Sequence, residues 1–340
     1  MAGLYGFGGI WEGLVRDLRN RRLHHCYLLN GRRGIGKSCF LQRVASLLLS
    51  VRDGREEPTD LDLERTDRLI RAGGHTDLVM LNMATPEDDG SENTSRREEI
   101  NVRQVRKVIR DLRLTQSISK NRVMIVDSID SVNVNGQNAL LKTLEEPPAN
   151  TYLFLLCHSG HRVLDTVRSR CTVINVPDLT FEDWSMALGD ACAEPPEGEA
   201  LDLRDLYDLA GHSVGLALEI ISNRAQNLYS DLLDSIFGGN PLEIQKFAER
   251  MSSVGLFSLF GVFLDRFFSD ILSYWRNGLL TFGERHRDRA ASFLGKNDLA
   301  MILKKYDYSR KIVRDMETYS LDKKHCLSVL LRGLGSDREL

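Results

Sequence analysis

Residues 31–38 read Gly31-Arg32-Arg33-Gly34-Ile35-Gly36-Lys37-Ser38, a match to G-x-x-x-x-G-K-[ST]. This octapeptide constrains the fold more than any other feature, because the pattern has meaning only between a strand and a helix. Both flanks comply. Residues 26–30 (Cys-Tyr-Leu-Leu-Asn) form a short apolar run, and Phe40, Leu41, Val44, Ala45, Leu47 and Leu48 then recur at helical spacing. In such a loop the glycines let backbone amides turn inward around phosphate oxygens, and the helix N-terminus adds positive potential. Gly31, Arg32, Arg33, Gly34, Ile35, Gly36, Lys37, Ser38 and the following Cys39 are therefore the expected nucleotide-binding residues. Lys37 would reach the terminal phosphates and Ser38 would ligate magnesium.

The rest of the first half repeats the strand-then-helix alternation of a parallel sheet covered by helices. Strands are expected at residues 78–81, 122–127, 152–157 and 172–176. An amphipathic helix is expected through Val102, Val105, Val108, Ile109 and Leu112, and a second through Ala139, Leu140, Leu141 and Leu144. Pro147 and Pro148 stop the second one, since proline cannot continue the backbone ladder. Residues 85–99 read as a charged loop without periodicity. Beyond Pro177 the strand signals vanish, and helical patterns run to the end with breaks at residues 194–198, 238–241 and 295. The fold class is α/β, with domains expected at residues 1–178, 179–228 and 229–340, the last two helical.

Asp127 ends an expected strand, the position from which a carboxylate can hold the magnesium of a bound nucleotide. Ser128 comes next, and a hydroxyl is a poor base at neutral pH, so hydrolysis at this chain's own site is expected to be inefficient. Asp130 is the nearby carboxylate that could substitute.

Composition narrows the partners. A formal net charge of −3 with 27% charged residues offers no global basic surface, so contact with nucleic acid has to be local or through other chains. The candidates are Arg103, Arg106, Lys107 and Arg110 on one helix and Lys142 on another. Six cysteines without a C-x-x-C pair argue against a disulfide framework and against zinc, and fit a reducing cytoplasm. Cys157, His158, His161 and Cys171 lie close in sequence without ligand-like spacing and are read as packing residues. His24 and His25 are read as structural. Residues 1–10 lack the pattern of a secretory signal, and Asp265, Arg266 and Asp270 interrupt the apolar run at residues 254–275, which is read as a core helix.

Three blocks carry a family resemblance: residues 22–38 (R-L-H-H-C-Y-L-L-N-G-R-R-G-I-G-K-S), 138–148 (N-A-L-L-K-T-L-E-E-P-P) and 169–171 (S-R-C). Together they resemble the bacterial clamp-loader ATPase subunits of the AAA+ class, over about residues 4–225. The resemblance implies an AAA+ sheet domain, a small helical lid and an all-α collar. It also implies ATP with magnesium, held partly by Ser38 and Asp127, and gamma/tau and delta subunits as partners, with the sliding clamp and primed DNA reached through the complex. Arg170, inside the S-R-C block, is implied to act catalytically in trans on a neighbour's ATP. Ser128 stands where the motor members carry glutamate, and Gly215, within residues 211–218, stands where they carry an arginine. Residues 51–74 lack the cysteines of the zinc module found in some relatives. Ser128 and Gly215 point to a non-motor member, the alternatives being a hydrolysing motor or a solitary P-loop kinase. Glu145 and Glu146 acquire no distinct role from the sequence.

Overall fold

The computed structural model describes residues 4–51, 58–85, 99–114, 118–158, 160–192, 202–225, 227–253, 256–278, 286–318 and 321–336. The chain divides into two compact units: Met1–Pro195 with Ala210–Leu216, and Pro196–Leu209 with Ala217–Leu340. The expected loop at residues 85–99 and the expected break at residues 194–198 fall largely or wholly outside the described residues.

In the first unit the elements alternate: α1 (Gly8–Arg19), β1 (Cys26–Asn30), α2 (Lys37–Ser50), α3 (Asp60–Arg71), β2 (Leu78–Asn82), α4 (Val102–Asp111), β3 (Arg122–Asp127), α5 (Val134–Glu145), β4 (Thr151–Cys157), α6 (Asp165–Arg168), β5 (Thr172–Asn175) and α7 (Phe181–Ala191). The strands form one parallel sheet in the order β2-β3-β4-β1-β5. Leu28 lies between Leu155 and Val173, and Ile125 lies between Met80 and Phe154. Parallel strands covered on both faces need continuous apolar runs. The central strands comply: Leu28, Leu29, Met124, Ile125, Val126, Leu153, Phe154 and Leu155 are all buried, whereas the edge strand β5 is largely exposed.

Local signals set the helix ends. Asn101 and Gln104 close a capping box on α4, and the Asn133 side chain accepts from the Gly136 amide at the start of α5. α5 stops at Glu145, with Glu146 as its C-cap before the proline pair. Because the sheet is parallel, Asn30, Asn82, Asp127, Cys157 and Asn175 all end at one edge, where the turn after β1 opens.

Among the described residues nothing after Asn175 forms a strand. The second unit holds α8 (Leu203–Leu209), most of α9 (Val214–Ser222), α10 (Leu228–Gly238), α11 (Pro241–Met251), α12 (Phe257–Asn277), α13 (Arg287–Lys296), α14 (Leu299–Thr318) and α15 (Lys323–Gly335). The apolar run is indeed a core helix: Phe260, Phe263, Leu264, Phe267 and Ile271 of α12 are fully buried. Its buried Asp270 is satisfied by the Tyr229 hydroxyl at 2.6 Å and by Arg266 at 2.8 Å. No helix among the described residues is long and apolar enough to cross a membrane. The break expected at Gly295 is displaced: α13 continues one residue further, to Lys296, because glycine one position from a helix end costs little.

Candidate nucleotide site and the arginine turn

The octapeptide lies where its pattern demands, between β1 and α2. The Gly31 amide donates to the Cys157 carbonyl at 3.2 Å, which extends the sheet by one bond before the chain turns. Gly34 and Gly36 adopt φ of +79° and +96°, conformations that favour glycine, and Gly36 forms the N-cap of α2. Ile35 is buried and pins the loop to the core. Arg33 and Cys39 are exposed, and Ser38 is half-buried.

Lys37 does not extend into solvent. Its side chain is 3% exposed, and Nζ donates to the carbonyl oxygens of Gly31 and Arg32, each at 2.5 Å. Burial strips its hydration and lowers its pKa to about 8, although the nearby Cys157, Asp130 and Asp127 act in the opposite direction.

A second segment closes over the loop. The Gly215 amide donates to the Gly34 carbonyl at 2.8 Å, and a Cβ on Gly215 would stand 3.0 Å from the Gly34 Cα. Arg32 donates to the Gly211 carbonyl at 3.2 Å and pairs with Asp178 at 3.1 Å. His212 lies 3.7 Å from the same carboxylate. Gly215 thus meets the phosphate loop through backbone, at a distance where a side chain would push the loop back by a few tenths of an ångström.

Asp127 ends β3, separated from the loop only by the tip of β4. His158 occupies that gap: its Nε2 lies 3.8 Å from Asp127, and its backbone N–H donates to Asp130 at 3.2 Å. Burial, and after it the charge of Lys37, lowers the His158 pKa. Asp130 is therefore anchored to the β4 tip. Ser128 is buried and its hydroxyl bonds that of Ser131 at 3.1 Å, so no carboxylate occupies that position. His158, read from the sequence as a packing residue, instead sits among the site's carboxylates; the signal for that was its place directly after an expected strand.

Arg170 lies at the opposite edge of the sheet. It precedes β5, where Thr172 pairs with Tyr27, near the start of β1. Its Nε donates to Glu145 Oε1 at 2.6 Å, NH2 contacts the same oxygen, and NH1 donates to the Thr166 carbonyl at 2.8 Å. His24, His25, Leu144, Ser169 and Cys171 line the same hollow. The histidines take structural bonds: His25 Nε2 meets the Leu144 carbonyl at 2.8 Å, and His24 Nδ1 meets the Cys26 carbonyl at 2.8 Å. Arg168 donates to the Gly160 carbonyl at 2.6 Å, while Arg162 is exposed.

Cys171 Sγ sits 3.1 Å from Cys26 Sγ at one end of β1, whereas Cys157 faces Asn30 at the other end. The four residues read as packing groups are therefore not gathered at one point; the His161 side chain lies outside the description. On α4, Arg103, Arg106 and Arg110 are exposed while Val105 and Val108 are buried, and Lys142 on α5 is exposed.

Comparison with known proteins follows the same lines. A profile of the family described as DNA polymerase III, delta subunit, matches residues 8–180. A DNA polymerase III subunit delta' of Pseudomonas aeruginosa is 30% identical over 304 residues, covering 86% of this chain and 82% of that protein. The subunit delta' of Bacillus subtilis is 29% identical over 161 residues, covering 47% of this chain and 44% of that protein. The subunit tau/gamma of Haemophilus influenzae is 24% identical over 245 residues, covering 68% of this chain and 33% of that protein.

Proposed function

The chain belongs to the DNA polymerase III delta-prime family, and from that membership we propose a clamp-loader subunit that completes a neighbour's ATP site instead of firing its own. One observation carries the reading. The phosphate loop follows the last residue of β1, while Arg170 lies beside the first, so the two are about one strand apart, roughly 15 Å at ~3.3 Å per residue. Open parallel sheets bind their own ligand outside the carboxyl ends of the strands, and Arg170 is at the other edge. Its guanidinium is suited to a phosphate that a second subunit brings.

The division of labour follows chemically. An arginine supplied in trans stabilises charge developing on the transferred phosphoryl group and is worth about 10³ or more in rate. On this chain's own side the position after Asp127 carries a buried serine that cannot take a proton from water at neutral pH. Ser38 and Asp127 have the chemistry to hold magnesium with ATP, and Lys37 would have to exchange the Gly31 and Arg32 carbonyls for phosphate oxygens. Bound there, a nucleotide would serve mainly to order the loop. Residues 1–178, 179–228 and 229–340 are assigned to nucleotide domain, lid and collar, with gamma/tau and delta as ring partners and the clamp and primed DNA as what the ring acts on. The exposed basic face of α4, together with Lys142, is the surface for DNA phosphates.

The test is ATP turnover in a mixture of this chain, gamma/tau, delta, clamp and primed DNA, set beside the chain alone. The complete mixture should hydrolyse ATP, the chain alone should not, and Arg170→Ala should remove about 10³ of the rate at the interface it completes. Turnover by the chain alone, with Arg170→Ala silent in the mixture, would identify a motor.

A further inference from the structure

Two of the family blocks meet in a contact that the proposed function leaves unexplained, the pair formed by Glu145 and Arg170. We infer that Glu145 is a positioning residue, which holds the Arg170 guanidinium ready for a phosphate carried by a neighbouring subunit. The inference rests on the in-trans reading of Arg170.

A guanidinium has five N–H groups in a fixed plane. Glu145 Oε1 takes the side edge, from Nε at 2.6 Å and from NH2. NH1 donates to the Thr166 carbonyl at 2.8 Å and, at longer range, to the Ser169 hydroxyl at 3.4 Å. What remains is an NH2 hydrogen on the far edge, the edge that grips phosphate oxygens. Held by its side edge, the group keeps its plane and direction without surrendering the donor it needs.

The holder is itself held. Glu145 is the last residue of α5, the prolines fix where that helix ends, and His25 bonds the carbonyl of the preceding Leu144 at 2.8 Å. Both partners remain accessible, with side chains 49% exposed for Glu145 and 34% for Arg170, so the pair can meet a ligand from outside. Glu146, one residue later, is exposed and makes no side-chain hydrogen bond to another described residue, which separates the two glutamates of the motif. An exposed ion pair stabilises a fold very little. Its effect is on the freedom of a long side chain, which would otherwise have to be ordered during the reaction.

The experiment uses the assembled loader with clamp and primed DNA, reading kcat and KM for ATP with Arg170→Ala, Glu145→Ala, Glu145→Gln and the double alanine variant. Glu145→Ala should lower kcat about ten- to a hundred-fold with KM within about two-fold, since misplacing a catalytic group costs rate more than affinity. Glu145→Gln, which keeps an acceptor oxygen of the same reach, should recover part of the loss. The double variant should be no slower than Arg170→Ala, because the carboxylate acts only through the arginine. A Glu145→Ala loader at or above the unmodified rate overturns the inference, as does a double variant whose losses multiply, or a loss matched by failure of the subunits to assemble. Those outcomes with Arg170→Ala still severe leave the in-trans reading intact; a silent Arg170→Ala removes both.

Discussion

The two ends of β1 are built from similar materials and arranged in opposite ways. Beyond its last residue, the cationic Lys37 is buried and turned back onto the carbonyls of its own loop, with the Gly215 backbone bonded across it. Beside its first residue, the cationic Arg170 is only partly buried and is braced by Glu145 from the side, with a donor left facing outward. One end satisfies its charge within the chain and the other keeps it available. A parallel sheet makes this separation possible, because every strand start lies at one edge and every strand end at the other.

The sharpest way to break the comparison lies on the Arg170 edge itself, where a second arginine is arranged in the inward manner. Arg122, 3% exposed, pairs at 3.2 Å with Asp77, which is fully buried. It also donates to the carbonyls of Asp111, Leu112 and Leu114, while Asp77 accepts from the amides of Ile118 and Ser119. Removing one partner of a buried pair leaves an uncompensated charge, so Arg122→Ala should cost about 3–5 kcal/mol in urea unfolding. Arg170→Ala should cost under about 1 kcal/mol in the same measurement. Equal losses would mean that Arg170 is a structural staple, and the outward-facing end would not exist.

The next effect is smaller and tests whether the phosphate loop is closed by backbone contact. A Cβ at Gly34 would lie 2.2 Å from the Ser213 hydroxyl and would sit on a left-handed residue, so Gly34→Ala should destabilise by about 1–3 kcal/mol. Gly215→Arg restores the residue type expected of a motor, yet its Cβ would stand 3.0 Å from the Gly34 Cα. It should lower the melting temperature by several degrees and should not confer ATP turnover on the isolated chain. A Gly215→Arg protein with unchanged melting temperature and new turnover would show that the two ends differ less than their geometry implies.

These contacts also mark where the sequence stops being readable. The strand, loop and helix around residues 26–50 were legible because the apolar runs and the glycine spacing are contiguous, and the five expected strands all form with ends shifted by one residue at most. Asp127 and Ser128 were legible as positions because they close a contiguous apolar run, and Arg170 through the S-R-C block of the family resemblance. Glu145 was not, because its role depends on a partner 25 residues away that α5, β4 and α6 bring back beside it. The closure of Gly215 onto Gly34 and the Asp77–Arg122 pair are likewise contacts between distant segments, and no local periodicity encodes them. α1 escaped detection because it begins at Gly8-Gly9 and has no side-chain cap, which removes the usual start signal.

The last effect concerns the charge on Lys37 and is confined to alkaline pH. Its folded pKa of about 8 lies below the ordinary lysine value of 10.5, because burial penalises the ammonium. Below pH 8 the lysine is protonated in both states, and the folded state carries the full penalty. Between pH 8 and 10.5 only the unfolded state keeps the proton, so its stability contribution rises with pH and levels off above 10.5. Lys37→Met has no such group. The difference in unfolding free energy between the unmodified protein and Lys37→Met should therefore rise through that window and be flat below it. Saturating pyrophosphate, a probe that would draw the ammonium out of its carbonyl cage and favour its charged form, should flatten the slope in the unmodified protein alone. A slope that pyrophosphate leaves untouched would mean that the loop keeps its lysine inward against phosphate, and that the inward-facing end of β1 is closed to nucleotide altogether.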